Sequence, residues 1–190
     1  MVALQEVENL TALNSLIAKI KADGGPAYSG YLIEGNDSRG INVAYIVKQG
    51  LSVLGAEQSG KTATTGLSGC GPSGTDLLFS RPPLTLHVQR ANGEQVSLIN
   101  NHFKSRGGTD PLNNEFRGCR NEQASYVANL ANQEAARAGS PSVIVLGDLN
   151  SFEDEEDLGI LQTQAGLTNL VSNIPAGRDF SYIYKAKPIP

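Results

Sequence analysis

The sequence predicts a mixed α/β fold in which strands and helices do not alternate regularly. Two strand-like runs flank Asn92-Gly93, and this arrangement is a strong signal for a β-hairpin. Other strand-like runs occur along the chain without a repeating β-α-β order, and a few segments carry apolar residues at helical spacing. Together these patterns indicate the α+β class, in which helices pack against sheets.

Length and charge limit the classes of function. A chain of 190 residues is most simply one domain and can bury a substantial core. No apolar run approaches the roughly 20 residues that span a bilayer, and no stretch has the pattern of a secretory signal. The net charge of −4 argues against a broad basic surface for nucleic acid. It does not exclude an enzyme that meets phosphate through a metal ion and one or two arginines.

The first half of the chain predicts three strands, a helix and a long loop. Residues 1–5 resemble the end of a strand, so we expect a segment upstream to be missing. A helix is predicted over residues 9–22, with an asparagine at its cap and an Asp-Gly-Gly-Pro stop after it. Residues 28–34 and 41–48 are predicted strands. Residues 55–76 are dominated by Gly, Ser and Thr and predict a loop, which either faces substrate or is a tolerated insertion.

The second half begins with the hairpin, whose strands are predicted over residues 84–90 and 95–103. A helix over residues 121–138 has alanine, valine and leucine on its inner face and a glycine after its end. Residues 143–147 form an apolar run that is too short for a helix and rich in β-branched side chains, which indicates a buried strand.

The last part of the chain contains five consecutive acidic residues, 153–157. They are interpreted as the first turn of a helix reaching Gln164, where carboxylates favour the positive end of the helix dipole. A metal cluster is the alternative. Residues 179–184 predict a final strand, and residues 185–190 are expected to have no regular structure.

Two polar side chains follow the buried strand directly. In a strand, the side chains at positions i and i+2 point to one face, which would place Asp148 beside Asn150 at the mouth of a sheet. An anion beside a neutral donor and acceptor suits a hard metal ion and a phosphate. The alternative is a strand end whose Asp and Asn only begin a turn.

Separated segments of the chain resemble, in order, the motifs of the endonuclease/exonuclease/phosphatase superfamily. Residues 4–9, Leu-Gln-Glu-Val-Glu-Asn, resemble its metal-binding glutamate motif, and residues 40–45 resemble its next core strand. Residues 79–83 and 99–103 are similar to its arginine and histidine strands, and Gly-Asp-Leu-Asn at 147–150 is close to its Gly-Asp-Phe-Asn motif. The residues of these segments, together with Phe-Ser-Tyr-Ile-Tyr at 180–184, are most similar to extracellular bacterial nucleases related to pancreatic-type deoxyribonuclease.

The resemblance implies a four-layer α/β/β/α sandwich of two mostly antiparallel sheets, with the active site where strand ends converge. It implies a metal-dependent phosphodiesterase, most simply an extracellular nuclease acting on DNA or RNA. No protein partner is implied by it. Glu6 would bind Mg²⁺ or Mn²⁺, with Ca²⁺ as a further option. His102 would stabilise or protonate phosphate oxygens, while Asp148 and Asn150 would orient water and phosphate. Arg81 would hold a phosphate through its forked donors, and His87 is interpreted as a structural histidine.

The chain departs from the family pattern at both ends. The strand that opens the family domain and the later histidine that serves as general base have no counterpart, since His87 and His102 are the only histidines. Residues 1–190 are therefore expected to be a single domain that is incomplete at both termini, and weakly active or inactive alone.

Alternatives to the nuclease remain inside and outside the superfamily. A phosphatase or lipid phosphodiesterase would share the same metal chemistry, and an inactive remnant or binding module would share only the fold. A binuclear metallophosphatase is rejected, because its Asp-x-His motif is absent and the order of the Gly-Asp and Asn-His motifs is reversed.

Cys70 and Cys119 are the only cysteines. Composition leaves open whether they form a disulfide or remain reduced. The resemblance to exported nucleases implies a secreted or periplasmic protein, in which the two would pair and tie the Gly-rich loop to the segment before the second helix.

Overall fold

The computed structural model describes residues 1–107, 114–139 and 141–175. The predicted strand at 179–184 and the tail at 185–190 lie outside these ranges. The described strands and α-helices, in chain order, are β1 (Val2–Val7), α1 (Leu10–Ala22), β2 (Tyr28–Leu32), β3 (Asn42–Lys48), β4 (Ser52–Gln58), β5 (Leu84–Gln89), β6 (Gln95–His102), α2 (Arg117–Ala135), β7 (Ser142–Asp148) and α3 (Glu156–Ala165), and a short 3-10 helix follows at Leu170–Asn173. Helix α1 begins where predicted, because the Asn9 side chain accepts a hydrogen bond from the Ala12 amide.

The strands form two sheets. One has the order β1-β3-β2 and is antiparallel, and the other has the order β4-β5-β6-β7. In the second sheet the β4–β5 and β5–β6 pairs are antiparallel, while β7 runs parallel to β6 after the crossover through α2. The predicted mixed α/β class with mostly antiparallel sheets is confirmed.

Side-chain alternation along β3 shows how the layers stack. Val43, Tyr45 and Val47 point between the two sheets, where they meet an apolar cluster from β5 and β6. The intervening Ala44 and Ile46 point the other way and pack against α1. Because alternate residues of a strand face opposite sides, a strand buried on both faces is apolar throughout. Helices α2 and α3 cover the far face of the second sheet, which completes the expected four-layer sandwich.

Two boundaries differ from the sequence-based expectation. Strand β4 extends to Gln58, so the predicted loop over 55–76 begins only after that residue. Among the described strands, β4 lies at the edge of its sheet with one hydrogen-bonded neighbour, so it needs no apolar alternation, and its glycine at a register shift resembles loop sequence. Helix α2 begins at Arg117, four residues earlier than predicted.

A disulfide joins Cys70 to Cys119, with Cα atoms 5.2 Å apart. Both residues are buried in the cluster beneath α2. The pairing ties the long loop after β4 to the first turn of α2, as expected from the resemblance. In the described ranges, no helix is long and apolar enough to cross a membrane.

Candidate active site

Strands from both sheets end at the same edge of the sandwich. The end of β6 pairs with the end of β7, so that His102 lies opposite Asp148. Across the two sheets, the β6 residue Asn100 donates to the carbonyls of Leu4 in β1 and Ala44 in β3, both at 3.0 Å. These bonds bring the end of β1, with its glutamate, to the ends of β6 and β7.

Glu6 lies at an irregularity in β1. The pairing of β1 with β3 shifts register between Leu4 and Val7, and Glu6 has a left-handed φ of 57°. The neighbouring Gln5 is fixed by a 2.7 Å hydrogen bond from its Nε2 to the Asn100 Oδ1. A left-handed glutamate costs of order 1 kcal/mol and persists only where neighbours over-determine it. The irregularity leaves the Glu6 side chain exposed at the strand end.

His102 and Asp148 face each other with Nε2 and Oδ2 3.7 Å apart. The histidine side chain is 5% exposed and the aspartate 51% exposed. Burial, followed by the positive charge of Arg81, lowers the pKa of His102, against the opposing effects of Asp148 and Glu6. The shift favours the neutral form of the imidazole. Its Nδ1 is buried without a hydrogen-bond partner in the described part of the chain.

Asn150 reaches Asp148 by a turn and not by continuation of the strand. Strand β7 ends at Asp148, and Asn150 has a left-handed φ of 53°. Its amide donates to the Asp148 Oδ1 at 2.9 Å, and its Nδ2 donates to the Phe103 carbonyl at 3.1 Å. Asn150 lies beside Asp148 as predicted. The backbone that brings it there is the turn of the alternative interpretation.

Gly147 explains why this motif contains a glycine. Its φ is 125°, a conformation that residues with a Cβ rarely adopt. A Cβ at this position would overlap the Asn101 carbonyl oxygen and lie 2.7 Å from the Asn101 amide nitrogen. Only glycine allows β7 to pass this close to β6, which sets the spacing of the polar groups at both strand ends.

Arg81 lies beneath the site with most of its donors already used. The side chain is buried; its Nη2 donates to the Phe103 carbonyl at 2.9 Å and its Nε to the His102 carbonyl at 3.3 Å. Its Nη1 lies 3.3 Å from Asp37. The predicted role assumes an open fork for phosphate, and the structure instead shows a guanidinium that fixes the end of β6. Its charge still acts on the site, as the lowered pKa of His102 shows.

Sequence reasoning missed Asp37 and Arg39, which lie in the turn-rich loop before β3. Arg39 is 63% exposed and its Nη2 lies 2.8 Å from Asp37. The hydrogen bond from Arg39 lowers the pKa of Asp37 to about 2. The pKa of Arg39 is raised, first by Asp37 and in part by Glu6, which places this exposed cation near the predicted metal ligand. The Asp-x-Arg spacing in a turn was the only available signal.

A buried network supports the loop that follows Asn150. Arg120 of α2 is fully buried, and its Nε donates to the Ser151 Oγ at 3.1 Å. Ser151 also bonds to Asp157, and Arg120 lies 3.6 Å from Asp157 and 3.5 Å from Glu155. Two of the five acidic residues therefore hold a buried arginine, while Glu156 and Asp157 occupy the first turn of α3 as predicted.

His87 belongs to a separate polar cluster at the other end of the second sheet. One ligand atom from each of Glu57, His87 and Glu134 lies within 4.8 Å of the others. The strand partner of His87 is Ser97, which is five residues, or about 16 Å, from His102 along β6. Arg137 lies 2.5 Å from Glu57 and 3.2 Å from Glu134. This guanidinium already compensates the carboxylates, which agrees with a structural interpretation of His87.

The strand-end site offers donors of the type that hard cations take. Glu6 and Asp148 present exposed carboxylates and Asn150 presents a carboxamide oxygen, since its amide nitrogen is engaged. Magnesium binds one or two protein carboxylates and keeps several waters. An open, oxygen-only set at the protein surface fits that preference better than the Glu57–His87–Glu134 cluster does.

The layer order agrees with the four-layer sandwich that the sequence resemblance predicts, and solved structures share this fold. TDP2 from Caenorhabditis elegans is similar over 80% of this chain and 50% of its own, at 21% identity and a TM-score of 0.53. Beta toxin from Staphylococcus aureus is similar over 88% of this chain and 59% of its own, at 16% identity and a TM-score of 0.59. The catalytic domain of human Nocturnin, with bound sulfate, is similar over 85% of this chain and 55% of its own, at 16% identity and a TM-score of 0.56.

These likenesses concern the fold. The chain spans between 50% and 59% of the length of the three structures. No protein-family model matches the sequence, and no curated protein matches it.

Proposed function

We propose that the strand-end site belongs to a metal-dependent phosphodiesterase. The observation that carries this proposal is the convergence of Glu6, His102, Asp148 and Asn150, which come from distant parts of the chain, at one edge of the sandwich. Glu6 and Asp148 both act electrostatically on His102 and on Arg81. A related S. aureus beta toxin structure holds magnesium ions, which supports a divalent cation in this fold.

Each side chain of the proposed site would have its own role. Glu6 and Asp148 would hold Mg²⁺, with Mn²⁺ or Ca²⁺ as substitutes, and the cation would offset charge on the phosphate oxygens and lower the pKa of a bound water. The neutral His102 imidazole would donate a hydrogen bond to a phosphate oxygen. Asn150 would present its carboxamide oxygen to a water, because its nitrogen is fixed on Phe103.

Local positive charge supports an anionic substrate. Burial lowers the pKa of Lys104, and the nearby Arg81 and Arg39 lower it further. Arg39 and Arg81 therefore lie close enough to Lys104 to create, with it, a positive potential at the rim of the site, although the whole chain carries −4. A nucleic acid, DNA or RNA, is the proposed substrate class, since its chain presents several phosphates to this rim.

The disulfide supports the proposed secreted or periplasmic location. Disulfides persist in oxidising compartments and are rare in the cytosol. Both cysteines are buried and paired, so that the bond is part of the packed structure. An extracellular nuclease is therefore the form of phosphodiesterase that we propose.

Cleavage of plasmid and oligonucleotide substrates in Mg²⁺, in Mn²⁺ and in chelator tests the proposal. We expect metal-dependent cleavage that falls at least about a hundredfold in Glu6→Gln and Asp148→Asn, since metal stabilisation of the transition state is worth several kcal/mol. Glu153→Gln is the matched control, because this acid is also exposed and lies near the site in sequence. Cleavage that survives chelator, or that both variants retain, would disprove the assignment.

A phosphatase or lipid phosphodiesterase is the second candidate, favoured by the likeness to beta toxin and Nocturnin folds. The same proteins assayed on a phosphomonoester and on sphingomyelin vesicles would separate the classes. Hydrolysis of either substrate without cleavage of nucleic acid would replace the nuclease proposal with this one.

A further inference from the structure

An exposed aromatic side chain lies beside the proposed catalytic groups. Phe152 is 57% exposed, whereas the other phenylalanines of the described ranges are buried or half-buried. It follows Asn150 by two positions, so their Cα atoms are at most about 7 Å apart. We propose that Phe152 and Arg106 form a stacking subsite for a nucleobase next to the scissile phosphodiester, an inference that rests on the proposed nuclease function.

The subsite is held in place from below. The Arg106 guanidinium carbon lies 4.6 Å from the centroid of the Phe152 ring. Arg106 is fixed by a 2.5 Å contact from its Nη1 to the Glu155 Oε1, and Glu155 also accepts from Asn114 and lies 3.5 Å from the buried Arg120. Arg106 and Glu155 are both largely buried. An arginine that is anchored in this way restrains the ring above it, which reduces the entropy lost when a ligand stacks there.

The geometry favours a base over other ring-binding groups. Arg106 covers one face of the ring, and the exposed fraction of Phe152 leaves apolar ring surface in contact with water. A nucleobase is flat and stacks on aromatic rings and guanidinium planes alike. A quaternary ammonium, as in a choline headgroup, also binds aromatic faces, but here it would meet the like charge of Arg106. The pair therefore selects a neutral planar ligand.

The distance between Asn150 and Phe152 also fits a nucleotide. In a nucleotide, one sugar separates the base from its phosphate. The short reach between Asn150 and Phe152 matches such a spacing, so a phosphate at the strand ends would bring its adjoining base to the ring.

Binding to two oligonucleotides that differ only in their bases tests the subsite. One is a fluorescein-labelled octathymidylate, and the other is the same phosphodiester chain with every base removed. Anisotropy in chelator gives the Kd, because cleavage is then blocked. Phe152→Ala should raise the Kd for octathymidylate about tenfold, since stacking is worth about 1–3 kcal/mol per base and 1.4 kcal/mol is tenfold. It should change the Kd for the abasic chain less than about twofold.

Two further variants make the result specific. Leu54→Ala removes a similarly exposed apolar side chain, 51% exposed, from the edge strand β4 and should alter neither Kd. Phe152→Trp keeps an aromatic face and should retain the preference for bases. Because Phe152 is exposed, the Phe152→Ala and Phe152→Trp variants should unfold at the same midpoint as the wild-type chain.

Equal effects of Phe152→Ala on both oligonucleotides, or no effect on either, would overturn the subsite even if the wild-type chain cleaves nucleic acid. Failure of the proposed function has a different signature: because only weak activity is expected of this chain alone, the function fails if any cleavage of nucleic acid by the wild-type chain persists in chelator and in Glu6→Gln and Asp148→Asn. Binding of sphingomyelin vesicles in place of both oligonucleotides would overturn the subsite as well.

Discussion

Backbone conformations that few residues adopt shape the proposed site. Glu6 and Asn150 have φ values of 57° and 53°, and both lie one or two positions from the last paired residues of their strands. Such conformations cost of order 1 kcal/mol each and need a surrounding structure that enforces them. Here Asn100 and the carbonyl of Phe103 supply that support, so the site depends on residues that do not face the substrate.

Gly147→Ala tests the close approach of β7 to β6. The variant combines a positive φ with overlap on Asn101, and we expect a loss of about 3 kcal/mol in the free energy of unfolding. Gly166→Ala is the matched control, because its φ is 63° and no described residue places an atom within 4 Å of its Cβ position. It should lose only about 1 kcal/mol. Urea unfolding of the two variants measures the difference, and equal losses would show that the Asn101 contact is unimportant.

Asp37→Asn tests the electrostatic role of the loop before β3. The pKa of Asp37 is lowered to about 2 in the folded chain, against about 3.9 when unfolded. Its ionised form therefore adds up to about 3 kcal/mol of stability, present above about pH 4 and lost as the pH falls through 2. The difference in unfolding free energy between wild type and variant should shrink between about pH 5 and 2. A difference that stays constant over this range would contradict the pKa shift.

At the scale of elements, a buried ion-pair network joins helix α2 to the loop between β7 and α3. Arg120 is buried in α2 and contacts Ser151, Glu155 and Asp157. Burial raises the pKa of Asp157, although Arg120 and Ser151 oppose the shift. The loop that carries Asn150 and Phe152 therefore depends on a helix that is remote from it in sequence.

Arg120→Met should destabilise the chain by about 3–5 kcal/mol, because it leaves buried carboxylates without their cation. Adding Asp157→Asn should recover part of the loss, since one of those charges is then removed. Arg117→Met, on an exposed position of the same helix, should change stability by less than about 0.5 kcal/mol. Chemical unfolding compares the proteins. A double variant no more stable than Arg120→Met would indicate that packing, and not charge, is the larger effect.

The disulfide should contribute to stability through the length of chain that it closes. The cysteines are 49 residues apart in sequence, and loop-closure entropy at that length corresponds to about 4 kcal/mol. For a domain of this size, we expect replacement of both cysteines by serine to lower Tm by roughly 10 °C. Thermal unfolding measured for both proteins without reductant gives the shift. If wild type and variant melt together, the bond adds nothing to the folded chain.

At the scale of the whole molecule, local patterns carried most of the fold. The Asn-Gly hairpin, the cap of α1 and the apolar run of β7 are each set by neighbours in sequence, and each lies where predicted. The expected burial of β7 is wrong: its residues are half-buried or exposed, with Ile144 42% exposed, because β7 is the last strand of its sheet among the described residues. The packing of Arg81 could not be predicted in this way. It depends on Asp37 and on the carbonyls at the end of β6, which are more than 20 residues distant. Residues 55–58 were similarly predicted as loop, because an edge strand carries little apolar pattern.

The proposed site residues also divide into those that local sequence predicts and those that it does not. Asp148 and Asn150 could be paired from their spacing alone, whereas Glu6 and His102 joined them only through resemblance to a family. Arg39 carried no local signal beyond its turn, because its position near Glu6 is created by the sandwich.

The distribution of charge leads to a prediction for salt. The chain carries −4 overall, while Arg39, Lys104 and Arg106 lie around the proposed site. Neutralising about three phosphates of a single strand gives a slope of about −2 when the logarithm of the binding constant is plotted against the logarithm of salt concentration.

Lys104→Ala should reduce the slope by about 0.7. Lys19→Ala is the control, because this exposed lysine pairs with Asp23 on α1 and should leave the slope unchanged. Anisotropy titrations of octathymidylate across a series of salt concentrations measure it. A slope near zero would show that the rim does not bind the backbone, and a much steeper slope would require a basic surface that the acidic balance of this chain does not provide.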